Sequence, residues 1–561
     1  MAKIIVPASV RAPIMVCSEG LSFWGGVDST SGLIIDAHHP LHGQSLSGKA
    51  VMMPTSRGSC TGSGVLLGLA FAKAAPKALI FREAEDILTL GAMVAAQMFG
   101  LDIAVLRLTV SEYEQLARED AVEITPTHLK AGKLEWPLEP VTADALELSD
   151  EDRAMLSGAQ GAPRKRAMEI VTTMAASQGA TRLTDVSRVH IDGCIYASDA
   201  FVIFARAMAD MGAKVCVPTT MNAISVDHAN WRSQGVPESF GLPASKLADA
   251  YVEMGAFPSF TCAPYLLENP PVAGEDIAWA ESNAVIYANS VLGARTVKHA
   301  DFIDLCIALT GRTPQCGVYL DTNRAPRRVI DVRLPDGADD AFWPMLGWLV
   351  GQVAPDRIPV IRGLEGTHPS DDDLKALCAA FGTTSASPML HIAGITPEAG
   401  LAPTADADHV DIGSEDFVRL WDEFNKGNDE IDLVALGSPH FSESECVAFA
   451  ALMEGKQVHA DVHTIITLGR ATLAKIRETG TEQRLRASGV TVVADLCWCS
   501  ISEPVFPRSA KVLMTNSGKY AHYAPGLSNR EVRFGSLEQC VAAATSGKAP
   551  SAPPPWIIQT V

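Results

Sequence analysis

The sequence predicts an α/β protein in which a small β/α domain precedes a larger set of lobes with parallel sheets. Three observations predict it. At 561 residues the chain is too long for one core, so about three to four domains or lobes are expected. The hydrophobic set is 47% and charged residues 20%, values of a well-packed globular chain and not of a disordered one. Short apolar runs alternate with helix-length amphipathic ones, the pattern of strands laid parallel and covered by helices.

The elements follow in order. Residues 1–110 are strand-rich and punctuated by turns. "PTSRGSCTGSG", Pro54–Gly64, separates the apolar "KAVMM" from "SGVLLGLAFAKAAP", which reads as helix, and "KALIF", which reads as strand. "EDILTLGAMVAAQMFGLD" carries apolar residues at three-to-four spacing and ends at Gly100, so a helix is expected, followed by the strand "IAVLRLT". From Glu112 to Glu147 the text turns polar and Pro-containing and reads as a linker or crossover. Ser149 then offers a helix N-cap with acids in the first turn. Beyond it "VSRVHIDG" reads as strand, "SDAFVIFARAMADMG" as helix and "AKVCVPTTMN" as strand then loop. "RVIDVRL", "FWPMLGWLVGQV", "RIPVIRGL", "DDLKALCAAFG", "IDLVALGSPHFS", "ESECVAFAALMEG", "QVHADVHTII" and "GVTVVADLCWCS" continue the alternation. Loops after such strands are where α/β proteins place their chemistry.

The net charge of -20 repels phosphate backbones and anionic lipids, which disfavours nucleic-acid and membrane partners. The most apolar long window, "GVLLGLAFAKAAPKALIF", holds two Lys and a Pro and suits a buried helix and strand. No signal-peptide pattern is evident, so a cytoplasmic protein is expected, as a monomer or homo-oligomer acting on a small molecule. The twelve Cys are scattered, with no CxxC pair. In a reducing compartment they are thiols, mostly small buried hydrophobes.

Several loops carry candidate chemistry, and each has a plain structural account beside it. In Pro54–Gly64 the glycines and hydroxyls make an anion cradle at a helix start, with Arg57 able to fork onto a carboxylate. It lacks the Gly-Lys-Ser/Thr of a phosphate loop, and a tight turn explains it equally. Thr219, Thr220 and Asn222 follow a strand, where turn polar residues are ordinary. Cys262 sits in "FTCAPYL", a loop too Pro-rich for helix, where core packing explains a thiol less readily. Glu281, Ser282 and Asn289 fall on a helix. Cys316 lies in a Pro/Gly loop, Cys497 and Cys499 at a strand end, and Asn516, Ser517 and Lys519 in "MTNSGKYAHY". Cys-bearing loops at breaks in regular structure are what a metal site built from strand ends requires, though their spacing alone does not establish one. His38, His39 and His42 also cluster; hairpin polar residues are the simpler account of them.

"HPLHGQSLSGKAVMMPTSRGSCTGSGVLL" resembles the small swivelling domain of the aconitase X family. "FTCAPYL", "GEDIAWAESNAVIYANSVLGART", "GRTPQCGVYLDTNR", "VPTTMN", "LGSPHFS" and "TNSGKYAHYAPGL" resemble its large catalytic domain. The likeness covers nearly the whole chain in order. It implies a swivelling domain at 1–140 bearing the Ser59 loop, and a large aconitase-like domain at 141–561 with lobes near 145–330 and 331–545. It also implies an iron–sulfur dehydratase. Fused single-chain members resemble cis-3-hydroxy-L-proline dehydratases, and two-subunit archaeal members resemble mevalonate 5-phosphate dehydratases. This chain is fused, which favours the first. Archaeal-type members carry Cys where Ser438 stands and Tyr in the motif that here holds Cys316, so their ligand set does not transfer intact. Cys262 and Cys497 match ligand positions, Cys316 is taken as the third ligand with Cys499 in reserve, and the fused branch implies a [2Fe–2S] cluster.

The implied reaction removes the Cα proton and the C3 hydroxyl of the substrate, and the enamine tautomerises to Δ1-pyrroline-2-carboxylate. A Lewis acid assists the hydroxyl, and a base takes the proton. Gly58-Ser59-Cys60 is similar to the Gly-Ser-Ser motif that supplies the base in aconitases, which assigns the base to Ser59. Arg57, Thr61 and Ser63 are then expected to bind substrate, with Thr219, Thr220, Asn222 and Lys519 as further contacts. The rivals are a mevalonate 5-phosphate dehydratase, whose dianionic substrate demands a Lys/Arg cluster not evident here, and a non-catalytic iron–sulfur regulatory protein.

Overall fold

The computed structural model describes residues 2–36, 39–57 and 59–558; His38 of the His cluster and Gly58 of the Ser59 motif lie outside them. The chain divides into two units, one formed by residues 1–219, 249–256 and 299–317, the other by 220–248, 257–298 and 318–561.

The first unit opens with a nine-stranded sheet made of β1 (Lys3–Val6), β2 (Val10–Val16), β3 (Ala50–Met53), β4 (Ala78–Phe81), β5 (Ala104–Arg107), β6 (Ala121–Ile124), β7 (His128–Ala131), β8 (Leu134–Pro137) and β9 (Glu139–Pro140), in the order β8-β7-β6-β2-β3-β4-β5-β1-β9. β2 to β5 run parallel. β3 and β4 are buried at every position, as strands covered on both faces must be. The expected helices are α1 (Gly62–Phe71) and α2 (Ile87–Phe99), and Gly100 ends α2 with φ 64°. A Cβ on Gly91 would lie 2.6 Å from the Ser63 carbonyl oxygen, so only glycine lets α2 meet the first turn of α1 this closely.

The stretch read as a linker opens in the helix Val110–Leu116 and is then mostly sheet. β6, β7 and β8 form an antiparallel meander on β2, with Val122, Ile124, Leu129 and Ala131 buried between exposed neighbours. Each strand spans only four residues and Pro126 interrupts the alternation, so the period of two was too short to stand out against the polar text.

The rest of this unit is mainly helical and holds a short antiparallel pair, Leu183–Asp185 with Arg312–Pro314, and the buried strand Val189–Ile191. The helix Asp150–Ser157 starts at Ser149 through a capping box with Asp152. Arg312 holds the buried Asp152 through bonds of 2.8 and 3.2 Å and reaches Asp185 at 2.6 Å. The strand expected at "VCVP" lies slightly later, at Thr219–Met221.

The second unit contains two parallel sheets. One orders His391–Ile392, Pro359–Arg362, Arg328–Val332 and Asp408–Ile412; the other orders Thr491–Ala494, His463–Leu468, Leu433–Leu436, Val512–Thr515 and Glu531–Phe534. A core of Trp, Phe and aliphatic side chains joins them to the helices Phe342–Val353 and Asp371–Thr384. The loops at the carboxyl ends of Leu433–Leu436 and Thr491–Ala494 carry Ser438 and Cys497, and the helix Gly518–Ser528 that follows Val512–Thr515 carries Lys519. Among the described residues no helix is long and apolar enough to cross a membrane.

Candidate active site

The Ser59 loop connects buried β3 to α1. Backbone bonds from Gly62 to Ser59 (3.1 Å), Gly64 to Thr61 (3.1 Å) and Val65 to Thr61 (3.2 Å) wind it into the helix start. The Ser59 hydroxyl accepts from the Thr61 amide at 3.3 Å and donates to the Thr61 hydroxyl at 3.1 Å. The first turn of α1 holds no acid, so the positive end of its dipole favours negative charge on that oxygen. Ser59 is half-buried, whereas Cys60 and Thr61 are buried.

The other sequence candidates of this loop have their own partners. Ser63 is fully buried and donates to the carbonyls of Cys60 (3.0 Å) and Asp301 (3.3 Å), which ties the turn to the body of its unit. Arg57 is paired with Glu19 at 3.3 Å and Asp36 at 3.2 Å in a solvent-facing arrangement, the weak and exchangeable kind of ion pair. Sequence reasoning missed Glu85. Its buried carboxylate accepts from the Ser56 hydroxyl (2.6 Å), the Leu88 and Thr89 amides (2.8 Å each) and the Thr89 hydroxyl (2.8 Å). Burial raises its pKa against those bonds. Glu85 thus anchors the strand side of the Ser59 loop to the start of α2; an acid just before an apolar helix was its only signal.

In the second unit Cys262 and Cys497 place their sulfurs 3.9 Å apart. Cys499 lies in hydrogen-bonding contact with Cys497, and Ala223 packs against the group. Cys316 is found in the first unit, its thiol on the Gln178 amide oxygen at 3.4 Å, while Gln178 bonds Asp86 at 3.1 Å. Burial and the Asp86 carboxylate push the Cys316 thiol up to about 12. The neighbouring Cys262 thiol and burial raise the pKa of Cys497, and Cys497 and burial raise that of Cys499.

A polar frame surrounds the three thiols. The His440 amide donates to the Cys262 sulfur at 3.3 Å, and the His440 ring bonds Thr261 (3.3 Å) and the Leu496 carbonyl (2.8 Å). Burial holds that ring neutral, its pKa pushed down to about 4. Lys519 reaches Glu281 at 2.9 Å with both side chains largely buried. Burial works against the ammonium, but Glu281 and the three thiols hold its pKa well above the ordinary value. Glu281 also accepts from Asn222 (3.2 Å) and Asn283 (2.6 Å), and Asn283 donates to the Cys262 carbonyl at 3.0 Å. The chain therefore brings Asn222, Lys519, Cys262, Cys497 and Cys499 into one region of the second unit. Thr219 bonds the Val217 carbonyl at 2.8 Å in the first unit, and Thr220 begins the second. Asn283 and His440 escaped sequence reasoning because an amide and a ring gain meaning only from the loops they bridge.

Among the described residues no three His, Cys, Asp or Glu side chains already form a ligand shell for one metal ion. The donor chemistry fits a thiolate-held iron–sulfur cluster. Three thiols meet, an amide points at one sulfur, a buried cation stands by, and the buried Ser438 hydroxyl, in the loop that supplies the His440 amide, has no hydrogen-bond partner. A bound cation reverses the effect of burial on the thiols, since it deprotonates them outright.

Comparison with known proteins assigns the chain to a family. Family models match residues 1–132 (aconitase X swivel domain), 145–322 (first domain), 326–422 (second domain) and 431–546 (third domain). The cis-3-hydroxy-L-proline dehydratase of Pseudomonas aeruginosa is 47% identical over 99% of this chain and 98% of its own. That of Hypocrea jecorina is 45% identical over 97% and 94%. The crystal structure of Thermococcus kodakaraensis aconitase X in its holo-form superposes with TM-score 0.65 at 30% identity, over 72% of this chain and all of that one. The protein is an enzyme of the hydro-lyase class. The chain belongs to the aconitase X family and carries the swivel domain and the three others on one polypeptide. Family membership implies an iron–sulfur cluster.

Proposed function

We propose that this enzyme dehydrates cis-3-hydroxy-L-proline to Δ1-pyrroline-2-carboxylate, with Ser59 as the base and Cys262, Cys497 and Cys499 as ligands of a [2Fe–2S] cluster. The near full-length likeness to enzymes named for that substrate carries the reading. Cys499 takes the place expected for Cys316 because it contacts Cys497, whereas Cys316 bonds Gln178. When bound, the cluster supplies a Lewis acid toward the C3 hydroxyl and the substrate carboxylate.

Ser59 takes the Cα proton as its alkoxide. The Thr61 amide donates to that oxygen, the Thr61 hydroxyl turns to donate as well, and the dipole of α1 adds positive potential. The C3–O bond then breaks, hydroxide leaves and takes up, as water, the proton released when the Ser59 alkoxide formed, and the enamine tautomerises. Lys519 and Asn222, both held in place by Glu281, meet the substrate's polar groups. Arg57 exchanges its exposed carboxylate partners for the substrate carboxylate. The protein works in a cytoplasmic compartment that keeps thiols reduced.

Anaerobically reconstituted protein is assayed with cis-3-hydroxy-L-proline and with mevalonate 5-phosphate, and iron and sulfide are counted. Product from the first substrate alone is expected; product from the second, or none, overturns the reading. Ser59→Ala should lower kcat by about 10²–10⁴-fold with the cluster retained. If that variant stays active, and the wild type shows neither α-proton exchange nor a primary isotope effect, Ser59 is not the base.

A further inference from the structure

Cys262 and Cys497 each lie two residues after a buried non-glycine residue of positive φ, Phe260 at 40° and Asp495 at 72°. Such backbone is strained and persists only where the surroundings over-determine it. For a bulky side chain such as Phe it is a genuine outlier.

One side chain touches both. Arg470 forks onto the Asp495 carboxylate, Nε to Oδ1 at 2.9 Å and Nη2 to Oδ2 at 2.6 Å. Its guanidinium carbon lies 4.2 Å from the centre of the Phe260 ring. A charged fork and a cation over an aromatic face are both directional contacts. The preceding residue adds a third constraint. A Cβ on Gly469 would stand 3.0 Å from the Thr261 side chain, so the start of the helix Arg470–Glu478 lies directly against the residue before Cys262. Asp495 is held from its other side by the His228 amide on Oδ2 (3.3 Å) and the Ile224 amide on its carbonyl (2.8 Å).

We propose that Arg470 is a positioning residue that locks the two thiol-bearing loops against each other and so sets the separation of the Cys262 and Cys497 sulfurs. It rests on Cys262 and Cys497 acting as a ligand pair. Arg470 touches neither sulfur; it fixes the two backbone reversals that aim them.

The test compares wild type, Arg470→Gln, Arg470→Lys and the double variant Arg470→Gln/Asp495→Gly. In metal-free protein, diamide oxidation is followed by mapping of the Cys262–Cys497 disulfide. In reconstituted protein, iron loss to a chelator and the visible circular dichroism are recorded. Arg470→Gln should slow disulfide formation and hasten iron loss about tenfold each, since small misplacements of reacting groups carry large rate penalties. Arg470→Lys should do nearly the same, because an ammonium lacks the planar fork. The double variant should recover much of both, since glycine adopts φ 72° without strain. Wild-type rates and spectrum in Arg470→Gln, or no recovery in the double variant, overturn the proposal. If Arg470→Gln does not fold, Phe260→Leu, which removes the ring but leaves the Asp495 pair, must show the same losses, and wild-type behaviour overturns it. Cys497→Ser separates the two readings. Unchanged iron content there refutes the ligand assignment, while the disulfide rates still judge Arg470.

Discussion

Lys519 carries its charge where little water reaches it, and Glu281 makes that tolerable. Breaking a buried pair by deleting one partner typically costs roughly 3–5 kcal/mol, because the survivor is left uncompensated. Lys519→Met should therefore lower the melting temperature sharply, and Lys519→Met/Glu281→Leu should melt above the single variant even if both are inactive. A double variant that melts with or below the single one would show that Glu281 is not the liability argued here. At this scale the sequence was legible where a contact is local. Ser59 and Thr61 lie two residues apart on one turn, and the turn decides their bond. It was not legible where direction matters. Ser63 stands in the same motif but faces inward to Asp301, and Arg57 meets Glu19 and Asp36 from distant parts of the chain. Nor could spacing decide between Cys316 and Cys499, since both occupy irregular loops; the thiols they meet depend on which strands are neighbours.

The helices α1 and α2 show how elements carry the Ser59 loop. Gly91 lets them cross with a Cβ-sized gap removed, and the backbone of Ser63 is what an added methyl would strike. Gly91→Ala should cost about 1–3 kcal/mol through overpacking and should shift the Ser59 turn, lowering kcat with little change in cluster content. An unchanged kcat would mean that the crossing does not govern the loop. α2 was readable because thirteen residues of three-to-four spacing run into a glycine at positive φ. In the two parallel sheets Arg328–Val332, Pro359–Arg362, Leu433–Leu436, His463–Leu468 and Thr491–Ala494 were readable as apolar runs between helices, whereas Asp408–Ile412, largely exposed and carrying two Asp, was not. The meander β6–β8 was not, since four-residue strands leave too few alternations. Thr219–Met221 was misplaced because "VCVP" has the composition of a strand, and pairing, which composition does not encode, chose the next residues.

For the whole molecule, acid is the informative stress. Burial pushes the His299 imidazole down to about 3. The unfolded chain therefore takes up a proton near pH 6.5 that the folded chain refuses until about 3, and stability falls as pH drops through that window. Asp304, raised to about 6 by burial despite amide bonds from Asp192 and Gly193, titrates in the opposite sense. The clean comparison is His299→Gln against wild type. The melting temperature of the variant relative to wild type should rise steadily from pH 6.5 downward, and a constant offset would contradict the assignment. The -20 charge foreseen as a bar to nucleic acid says nothing of this balance, which depends on burial and local hydrogen bonds. A last consequence follows from β9. It pairs with β1, Glu139 beside Lys3, so the nine-stranded sheet begins and ends on adjacent strands. A domain with neighbouring ends can be joined to another at either end through one short connector. The tether then sets the effective concentration of the Ser59 loop, on the order of millimolar for a short flexible link, so dilution does not separate it from the rest of the enzyme.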